Sequence, residues 1–392
     1  MMVRVSYPLN RREFLGAAAI TTLAGKTHWM KLGKEEKRTL LFVGTQTQTG
    51  TSKGIYAYRW DSATGNLTQI GVAAESDDPT FLALSPDSKY LYAANEVSEF
   101  QAEKTGAISS FQVDAASAKL KPLNKISSQG TGPCHVSTDS QGRYVFCANY
   151  TGGSAASFYV HPDGAISEAV SHFHYDGHGP NAERQQTAHA HRATTSPDDR
   201  LLLVNDLGLD CIHIYKLNPA TGRLTPHDPP QWNATPGSGP RALRFHPNGR
   251  FAYCIHELTS ELEALHWDAA AGTFTSIDKA KLTPDSYHGP AAASEIVIDR
   301  SGKFAYAACR FYDSIITFAI HPKSGKLTLL TRTEYGGKVP RHITLDPTER
   351  RLLIANQGSD DITVLRRDPK SGHLEEKGKT FPLSKPQCLV FV

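Results

Sequence analysis

A segment of eight residues recurs along the chain at intervals near 50 residues, and this repeat restricts the fold more than any other feature. Six clear copies begin with Lys or Arg and continue as an apolar run: KYLYAANE (89–96), RYVFCANY (143–150), RLLLVNDL (200–207), RFAYCIHE (250–257), KFAYAACR (303–310) and RRLLIANQ (350–357). A weaker seventh copy, RTLLFVGT, occupies residues 38–45. Each copy follows a strand and a tight turn and precedes two more predicted strands, which makes four strands per repeat. This period and strand count are typical of β-propeller blades, since solenoid repeats of similar length are helical.

The two ends of the repeat region predict how the propeller closes. The chain ends in PQCLVFV (386–392), which matches the first strand of a repeat, whereas the copy at 38–45 lacks that first strand. Pairing the two completes one blade and leaves no long exposed sheet edge. We therefore expect an all-β fold over residues 38–392: a seven-bladed β-propeller with four antiparallel strands per blade, closed by pairing of the C-terminal and N-terminal strands.

Residues 1–37 precede the repeats, and they predict a twin-arginine export signal with a linker. Residues 10–25 read NRREFLGAAAITTLAG, where two arginines precede an Ala-rich stretch that is too short to span a bilayer. We therefore expect a periplasmic or secreted protein, with no membrane insertion beyond an uncleaved signal. No clean cleavage site follows the apolar stretch, so the cleavage position stays open.

Composition excludes several classes of partner and cofactor. The 42 Lys and Arg nearly balance the 39 Asp and Glu, and the net charge of +3 is too small for a nucleic-acid-binding protein. The six cysteines are widely spaced without a C-x-x-C pair, which predicts buried thiols rather than a zinc or redox centre and leaves a disulfide open. We expect no cofactor, and a monomer or a weak homo-oligomer.

The repeat also predicts which side chains share one face of the propeller. The first strand of a blade lines the central channel and the second runs antiparallel to it, so the start of the first and the end of the second lie together. The first strands start at residues 79–80, 133–134, 190–191, 240–241, 293–294 and 340–341. The second strands end at Glu96, Tyr150, Leu207, Glu257, Arg310 and Gln357. We therefore expect a cluster of His191, Arg241, Arg341, Glu257 and Arg310.

Three arginines at one channel mouth indicate an anionic ligand. A guanidinium presents a planar fork of donors that suits a carboxylate or a phosphate, and three of them would repel one another without a negative partner. The alternative is that these arginines pair with Glu257, Glu96, Asp206 and Glu295 and only hold the blades together.

The longest segment between blades, residues 171–191, carries five histidines and Arg184. Long loops often carry functional residues. His189 and His191 have the H-x-H spacing of some metal sites, but no third ligand follows at a suitable distance, so we assign no metal. We expect acid–base or hydrogen-bonding roles instead, because imidazole titrates near neutral pH.

Several longer motifs of the chain resemble those of a known family. They are GTGPCHVSTDSQGRYVFCANYTGGS (130–154), GHGPNAERQQTAHAH (177–191), VNDLGLDCIHIY (204–215), GSGPRALRFHPNGRFAYCIHEL (237–258), ASEIVIDRSGKFAYAACRFYDSI (293–315) and VPRHITLDPTERRLLIANQGSDDI (339–362). Over essentially the whole repeat region the chain resembles the seven-bladed propeller lactonases. That family contains propeller-type 6-phosphogluconolactonases and carboxy-cis,cis-muconate cyclases.

The resemblance implies a lactonase that hydrolyses a small anionic or sugar-derived lactone at the channel mouth. The site proposed for the cyclases is a histidine, an arginine, a glutamate and a second arginine, which by position resemble His191 (or His189), Arg241, Glu257 and Arg310. Glu257, with His191, would act as general base, while the arginines would bind the anion and the developing oxyanion. For substrate binding we add His189, Arg184, Arg341, Tyr150, Glu96 and Asp206.

Three alternatives stay open at this point. The first is a muconate-type lactonizing cyclase, and the second is a propeller that binds a ligand or a partner without catalysis. The third is a calcium-assisted lactonase using Asn95, Asn149, Asp206 and Asn356, although equivalent repeat positions more often cap turns. Export favours an unphosphorylated lactone, because phosphorylated sugars are scarce outside the cytoplasm.

Overall fold

The structure is a computed structural model that describes residues 39–392. The predicted export signal at residues 1–37 lies outside the described residues and stays a prediction. Every regular element from residue 39 to the end of the chain is a strand. In the same part of the chain, no helix is long and apolar enough to cross a membrane.

Residues 39–392 form 28 strands. The first eleven are β1 (Thr39–Thr45), β2 (Gly54–Asp61), β3 (Asn66–Glu75), β4 (Pro79–Leu84), β5 (Tyr90–Asn95), β6 (Ala107–Asp114), β7 (Lys119–Ser127), β8 (Pro133–Thr138), β9 (Tyr144–Asn149), β10 (Ser154–Val160) and β11 (Ile166–His174). The next eight are β12 (Ala190–Thr195), β13 (Leu201–Asp206), β14 (Cys211–Leu217), β15 (Leu224–Asn233), β16 (Pro240–Phe245), β17 (Phe251–His256), β18 (Glu261–Asp268) and β19 (Thr273–Lys281). The last nine are β20 (Ala292–Ile298), β21 (Phe304–Arg310), β22 (Ser314–Ile320), β23 (Leu327–Glu334), β24 (Pro340–Leu345), β25 (Arg351–Asn356), β26 (Asp361–Arg366), β27 (Lys379–Pro382) and β28 (Pro386–Phe391).

These strands form seven antiparallel sheets of four, the blades of a propeller. Blade 1 has the order β28-β1-β2-β3, and blades 2 to 7 each use four consecutive strands from β4 to β27. The C-terminal strand pairs with the N-terminal one, for example Val390 with Phe42, so the predicted closure is confirmed. Each innermost strand contacts the innermost strands of both neighbouring blades, which closes the ring around a central channel.

The hydrophobic core is divided among the seven interfaces between adjacent blades. In β17, Tyr253 and Ile255 pack towards blade 6, whereas Ala252 and Cys254 pack towards blade 4. The second strand of a blade is therefore buried on both faces, which explains why each repeat is a continuous apolar run rather than an alternating one. All six cysteines are buried free thiols, as the sequence predicts.

Every blade has an irregularity near the start of its innermost strand, at the second residue of that strand or, in β20 of blade 6, at the third. In blade 5, Pro240 pairs with His256 and Ala242 with Ile255, so Arg241 has no partner across the sheet. The other six blades show the same skip in register at this position. A bulge breaks the alternation of side chains, so two consecutive residues line the channel, such as His191 with Arg192. The regular alternation of side chains along a strand does not predict that two consecutive residues face the channel.

Candidate active site

A buried carboxylate joins three arginines at the mouth formed by the starts of the inner strands and the ends of the second strands, here called the upper mouth. Glu257 Oε2 accepts hydrogen bonds from Arg241 Nη1 and lies 2.8 Å from Arg310 Nη2. Its Oε1 accepts a bond of 2.6 Å from Arg184 Nη2. Burial alone would raise the pKa of Glu257, but Arg310 and Arg241 hold it well below its usual range. The carboxylate is therefore ionised at every physiological pH.

The G-P-R segment holds Arg241 in place through its backbone. Gly239 has a φ of 64°, and a Cβ there would lie 2.7 Å from Leu258 Cγ, so both conformation and space require glycine. The Asp210 carboxylate accepts the N–H groups of Gly237 and Gly239 at 2.6 and 2.8 Å. Arg241 then donates from Nε to the Ser294 carbonyl at 2.7 Å, which orients its guanidinium towards Glu257.

Arg184 reaches the same carboxylate from the long loop before β12. Asn181 Oδ1 accepts the N–H groups of residues 183 and 184, both at 3.1 Å. The fully buried Gln185 donates to the Leu207 carbonyl at 2.9 Å and anchors the turn to blade 4. The Arg184 side chain is 43% exposed, so it covers Glu257 from the solvent side.

Two histidines and a tyrosine form the neighbouring wall. The His189 ring stacks on Tyr150 at 4.4 Å, and the His191 ring meets the edge of Tyr150 at 5.5 Å. Burial and the nearby Arg241 lower the pKa of His191 well below its ordinary value, so the imidazole is neutral. His191 Nδ1 lies 3.7 Å from the thiol of Cys134, whose pKa burial raises to about 12.

Arg341 differs from the other arginines at this mouth. It lines the channel beside His191 and Arg241, and its charge helps lower the pKa of both. Burial and Arg341 together bring the pKa of Arg241 to about 9. Within residues 39–392, neither an ion pair nor a hydrogen bond engages the Arg341 side chain. Its guanidinium is therefore available to a ligand.

Glu96 occupies the opposite side of the mouth, in blade 2. Its Oε2 accepts a hydrogen bond of 2.6 Å from Thr80 Oγ1. No lysine, arginine or histidine of the described chain forms an ion pair with it. The predicted pairing of the channel arginines with carboxylates therefore holds for Glu257 and not for Glu96.

Asp206 is the predicted substrate-binding residue that the structure places away from the mouth surface. It is fully buried, and its Oδ1 accepts the N–H groups of His189, Gly208 and Leu209 at 2.8 to 3.0 Å. A carboxylate that is enclosed and bound in this way supports the loop and cannot touch a substrate. The repeat position alone does not reveal this, because it does not show how the preceding loop folds over the strand.

The other residues at this repeat position also have structural contacts. Asn95 is fully buried and donates to Ser76 Oγ and to the Asp77 carbonyl, as expected for a cap. His256, which replaces the usual Asn or Asp, lies 2.8 Å through Nε2 from Glu263 Oε2. Among the described residues, no group of three or more His, Cys, Asp or Glu could hold a metal ion.

The structure adds two glutamines from the closing blade that the sequence argument missed. Gln387 lines the channel at the second position of β28, is 3% exposed, and its Nε2 has no hydrogen-bond partner in the described chain. Gln46, at the end of β1, accepts a bond of 3.0 Å from Gln357. The sequence contains a signal for Gln387, because PQCLVFV matches the first strands of the other repeats and places Gln387 at the position of Arg241.

The channel is blocked below this mouth. Arg192 and Glu295, each 3% exposed, form a two-pronged ion pair with distances of 3.0 and 2.5 Å. The space between the mouth and this pair is about 20 Å³, enough for about one water molecule. A ligand at the upper mouth would therefore meet a closed floor.

The upper mouth has the components for hydrolysing an ester. Two unprotonated groups, Glu257 and His191, lie beside several guanidinium donors. Such donors stabilise an oxyanion more strongly in a buried site than in water. The opposite side offers amides and a carboxylate, which suit hydroxyl groups.

Comparison with known proteins gives a consistent result. Residues 40–391 match the family described as "Lactonase, 7-bladed beta-propeller". A 6-phosphogluconolactonase of Bacillus subtilis is 34% identical over 351 residues, covering 90% of this chain and 97% of that protein. A 6-phosphogluconolactonase of Formosa agariphila is 33% identical over 340 residues, covering 86% of this chain and 94% of that protein.

A solved structure shows the same likeness. The periplasmic gluconolactonase of Pseudomonas aeruginosa superposes with a TM-score of 0.85 and 31% sequence identity. The match covers 90% of this chain and 99% of that one. Both the sequence and the three-dimensional comparison thus extend over the whole ring of blades.

Proposed function

The chain belongs to the seven-bladed β-propeller lactonase family and is a lactonase, and we propose that it hydrolyses a hydroxylated, sugar-derived lactone at the upper mouth. The observation that carries this proposal is the unpaired Arg341 guanidinium beside the neutral His191, at the mouth that also holds the ionised Glu257. A cation without a partner at a mouth with two proton acceptors suits an ester that develops negative charge during attack.

In the proposed reaction, water attacks the lactone carbonyl carbon while Glu257, with His191, accepts its proton. Arg241, Arg310 and Arg341 donate hydrogen bonds to the carbonyl oxygen as it becomes an oxyanion. The ring C–O bond then breaks, and the ring oxygen takes up the proton to give a hydroxy acid. The oxyanion that develops on the carbonyl oxygen offsets the arginine charge, which raises the proton affinity of both acceptors during catalysis.

The far wall supports a hydroxylated substrate over an unsaturated dicarboxylate. Glu96, Gln387 and the bonded pair of Gln46 and Gln357 present oxygen acceptors and amide donors, with Arg341 at the blade 7 end of this wall. Hydroxyl groups can donate to the carboxylate, whereas a second carboxylate would be repelled by it. This distribution favours hydrolysis of a sugar lactone over muconate-type ring closure.

The first test is pH-stat hydrolysis of glucono-1,5-lactone, its 6-phosphate and muconolactone by the purified chain, with spontaneous hydrolysis subtracted. We expect catalysed hydrolysis of a gluconolactone, and Glu257→Gln should lower kcat by about 10²- to 10⁴-fold. Arg350→Gln, which removes an exposed arginine elsewhere on the chain, is the matched control and should retain wild-type kcat. Full activity of Glu257→Gln would refute the assignment, and turnover of muconolactone alone would favour the cyclase alternative.

Arg341→Gln tests which substrate group the free guanidinium binds. If it binds a phosphate, KM for the 6-phosphate should rise about tenfold more than KM for glucono-1,5-lactone. If it binds the carbonyl oxygen, kcat should fall for both substrates by a similar factor. Unchanged kinetics with both lactones would remove Arg341 from the site.

We also propose that the chain works in the periplasm after export by its N-terminal segment. The support is the Arg11-Arg12 pair in the sequence and the similarity to a Pseudomonas gluconolactonase that is described as periplasmic. Replacing both arginines by lysine should retain the protein in the cytoplasmic fraction. Equal distribution of the variant and the wild type between fractions would overturn this assignment.

A further inference from the structure

The channel has a second, larger opening on the other side of the Arg192–Glu295 pair, here called the lower mouth. Its cavity has a volume of about 660 Å³, within the range of small-molecule sites. All seven innermost strands contribute to its wall, and Phe81, His135, Arg244 and His342 are among the lining residues. The proposed function makes no use of this cavity.

The lower mouth has one positive charge in excess. Arg192 and Arg244 face a single carboxylate, Glu295. Arg192 takes both oxygens of Glu295, and the Ile296 N–H also donates to Oε1 at 3.0 Å. Arg244 Nη2 is left 3.5 Å from that same oxygen.

The Arg244 side chain extends into the cavity. It is 44% exposed, whereas Glu295 is 3% exposed. The excess positive charge therefore lies on the wall of the cavity and not within the buried Arg192–Glu295 pair. An arginine with an open planar fork in a concave site is the usual partner of a carboxylate or phosphate.

The two histidines of this wall do not remove the need for an anion. Burial, with Arg192 close by, lowers the pKa of His135 well below its ordinary value, and burial brings that of His342 to about 4. Both rings are therefore neutral near pH 7, so they add no positive charge to the wall and do not balance the charge of Arg244. His342 is 6% exposed, and its Nε2 lies 3.9 Å from Glu295 Oε2, so this ring packs against the Arg192–Glu295 pair.

Hydroxyl groups complete the wall. Thr194 and Thr344 line the same cavity from blades 4 and 7, and Ser137 lines it from blade 3 with its hydroxyl donating to the Ala193 carbonyl at 2.9 Å. Hydroxyls can both donate to and accept from a ligand, so they suit an anion that also carries hydroxyl groups. The closed floor and the limited volume restrict the ligand to a small molecule.

We propose that the lower mouth is a second ligand site, separate from the lactonase site, which binds a small oxyanion on Arg244 with the wall hydroxyls. The shared chemistry is a carboxylate or a phosphate. The Arg192–Glu295 pair separates this anion from the upper mouth, so both sites can be occupied at once. The proposal does not depend on which lactone the upper mouth hydrolyses.

The test is the thermal midpoint of the full chain in sodium gluconate and in sodium phosphate, against sodium chloride at equal ionic strength. The titrations use the Arg341→Gln variant, because this substitution weakens anion binding at the upper mouth. We expect the anions still to stabilise this variant, since a ligand that binds only the native state raises its stability. Adding Arg244→Gln should raise the half-saturating anion concentration by about tenfold or more. The gluconate and phosphate arms then show which oxyanion is preferred.

Two controls keep the result interpretable. Arg244→Lys keeps the positive charge but lacks the planar guanidinium, so it should bind the anion more weakly than the wild type and more tightly than Arg244→Gln. If Arg244→Gln does not fold, Arg244→Lys takes its place in the titration. Arg244→Gln alone should retain lactone hydrolysis. Identical anion titrations with and without Arg244→Gln would overturn the proposal, whatever the lactonase assays give.

Discussion

Glu257 and Glu295 are both buried carboxylates bound by arginines in the same channel, yet their surroundings differ. Glu295 forms a two-pronged pair with one arginine, and both partners are 3% exposed. Glu257 is shared by three arginines, one of which is 43% exposed and belongs to a loop. A closed pair fills space and fixes the blades, whereas a shared carboxylate beside a free cation leaves charge for a ligand. The difference shows that burial of a charge does not by itself indicate a catalytic role.

The largest expected effect comes from breaking the closed pair. Glu295→Gln leaves Arg192 buried without a counter-ion and removes the carboxylate beside the exposed Arg244, and it should lower the free energy of unfolding by about 3–5 kcal/mol in urea titrations. Glu257→Gln also leaves Arg241 and Arg310 without their carboxylate, but it lies at the open mouth, where dissolved anions can replace the lost charge and Arg184 can turn towards solvent, so it should cost less. Equal losses for the two variants would contradict the division into a structural pair and a ligand-binding cluster.

A double variant sharpens this comparison. Replacing both members by apolar residues, Arg192→Met with Glu295→Leu, removes the buried charges together, so stability should recover to within about 1–2 kcal/mol of the wild type. Lactone hydrolysis should survive in this variant. Loss of turnover in a fully folded double variant would mean that the pair also shapes the upper site.

The next effect concerns pH and His342. Burial lowers its pKa to about 4 in the native state, below the ordinary value of 6.5. The unfolded chain therefore takes up a proton that the native chain does not, so stability declines as pH falls from 6.5 to 4. His342→Gln removes this contribution, and the decline should be smaller by about 3 kcal/mol at pH 4. Parallel pH curves for the wild type and this variant would contradict the prediction, and the exposed His373→Gln serves as the control.

A smaller effect shows whether Asp206 supports the loop before β12 or contacts the substrate. Asp206→Ala removes the acceptor of three backbone N–H groups, which should cost about 1–3 kcal/mol of stability. KM of the folded fraction should change little, because the carboxylate is enclosed. A large rise in KM with unchanged stability would instead return Asp206 to the substrate-binding set.

The smallest expected effect concerns Gln387, the channel residue of the closing strand. Gln387→Met keeps the volume but removes the unpartnered amide from the channel, so stability should stay the same or rise slightly. KM for a hydroxylated lactone should rise about fivefold, as expected for the loss of one hydrogen bond of about 1 kcal/mol. δ-Valerolactone, which has no hydroxyl groups, should show no such change, and equal effects on both lactones would argue against a hydroxyl contact.

The sequence by itself determined the architecture and most of the upper mouth. A repeat of apolar second strands with a turn before each one specifies seven blades, because each strand must bury both faces between its neighbours. The incomplete repeats at the two ends specify the closure, and the positions at strand starts and ends select Arg241, Glu257, Arg310 and His191. These inferences succeed because they depend on spacing along single strands.

Only the tertiary structure decided how these charges are distributed. The bulge in every inner strand turns two consecutive residues into the channel, which places Arg192 and Glu295 in contact from blades 4 and 6. The fold of the loop before β12 brings Arg184 onto Glu257 and encloses Asp206. Charge pairing across the ring joins residues about 100 positions apart in sequence, and no local pattern records which carboxylate an arginine will meet.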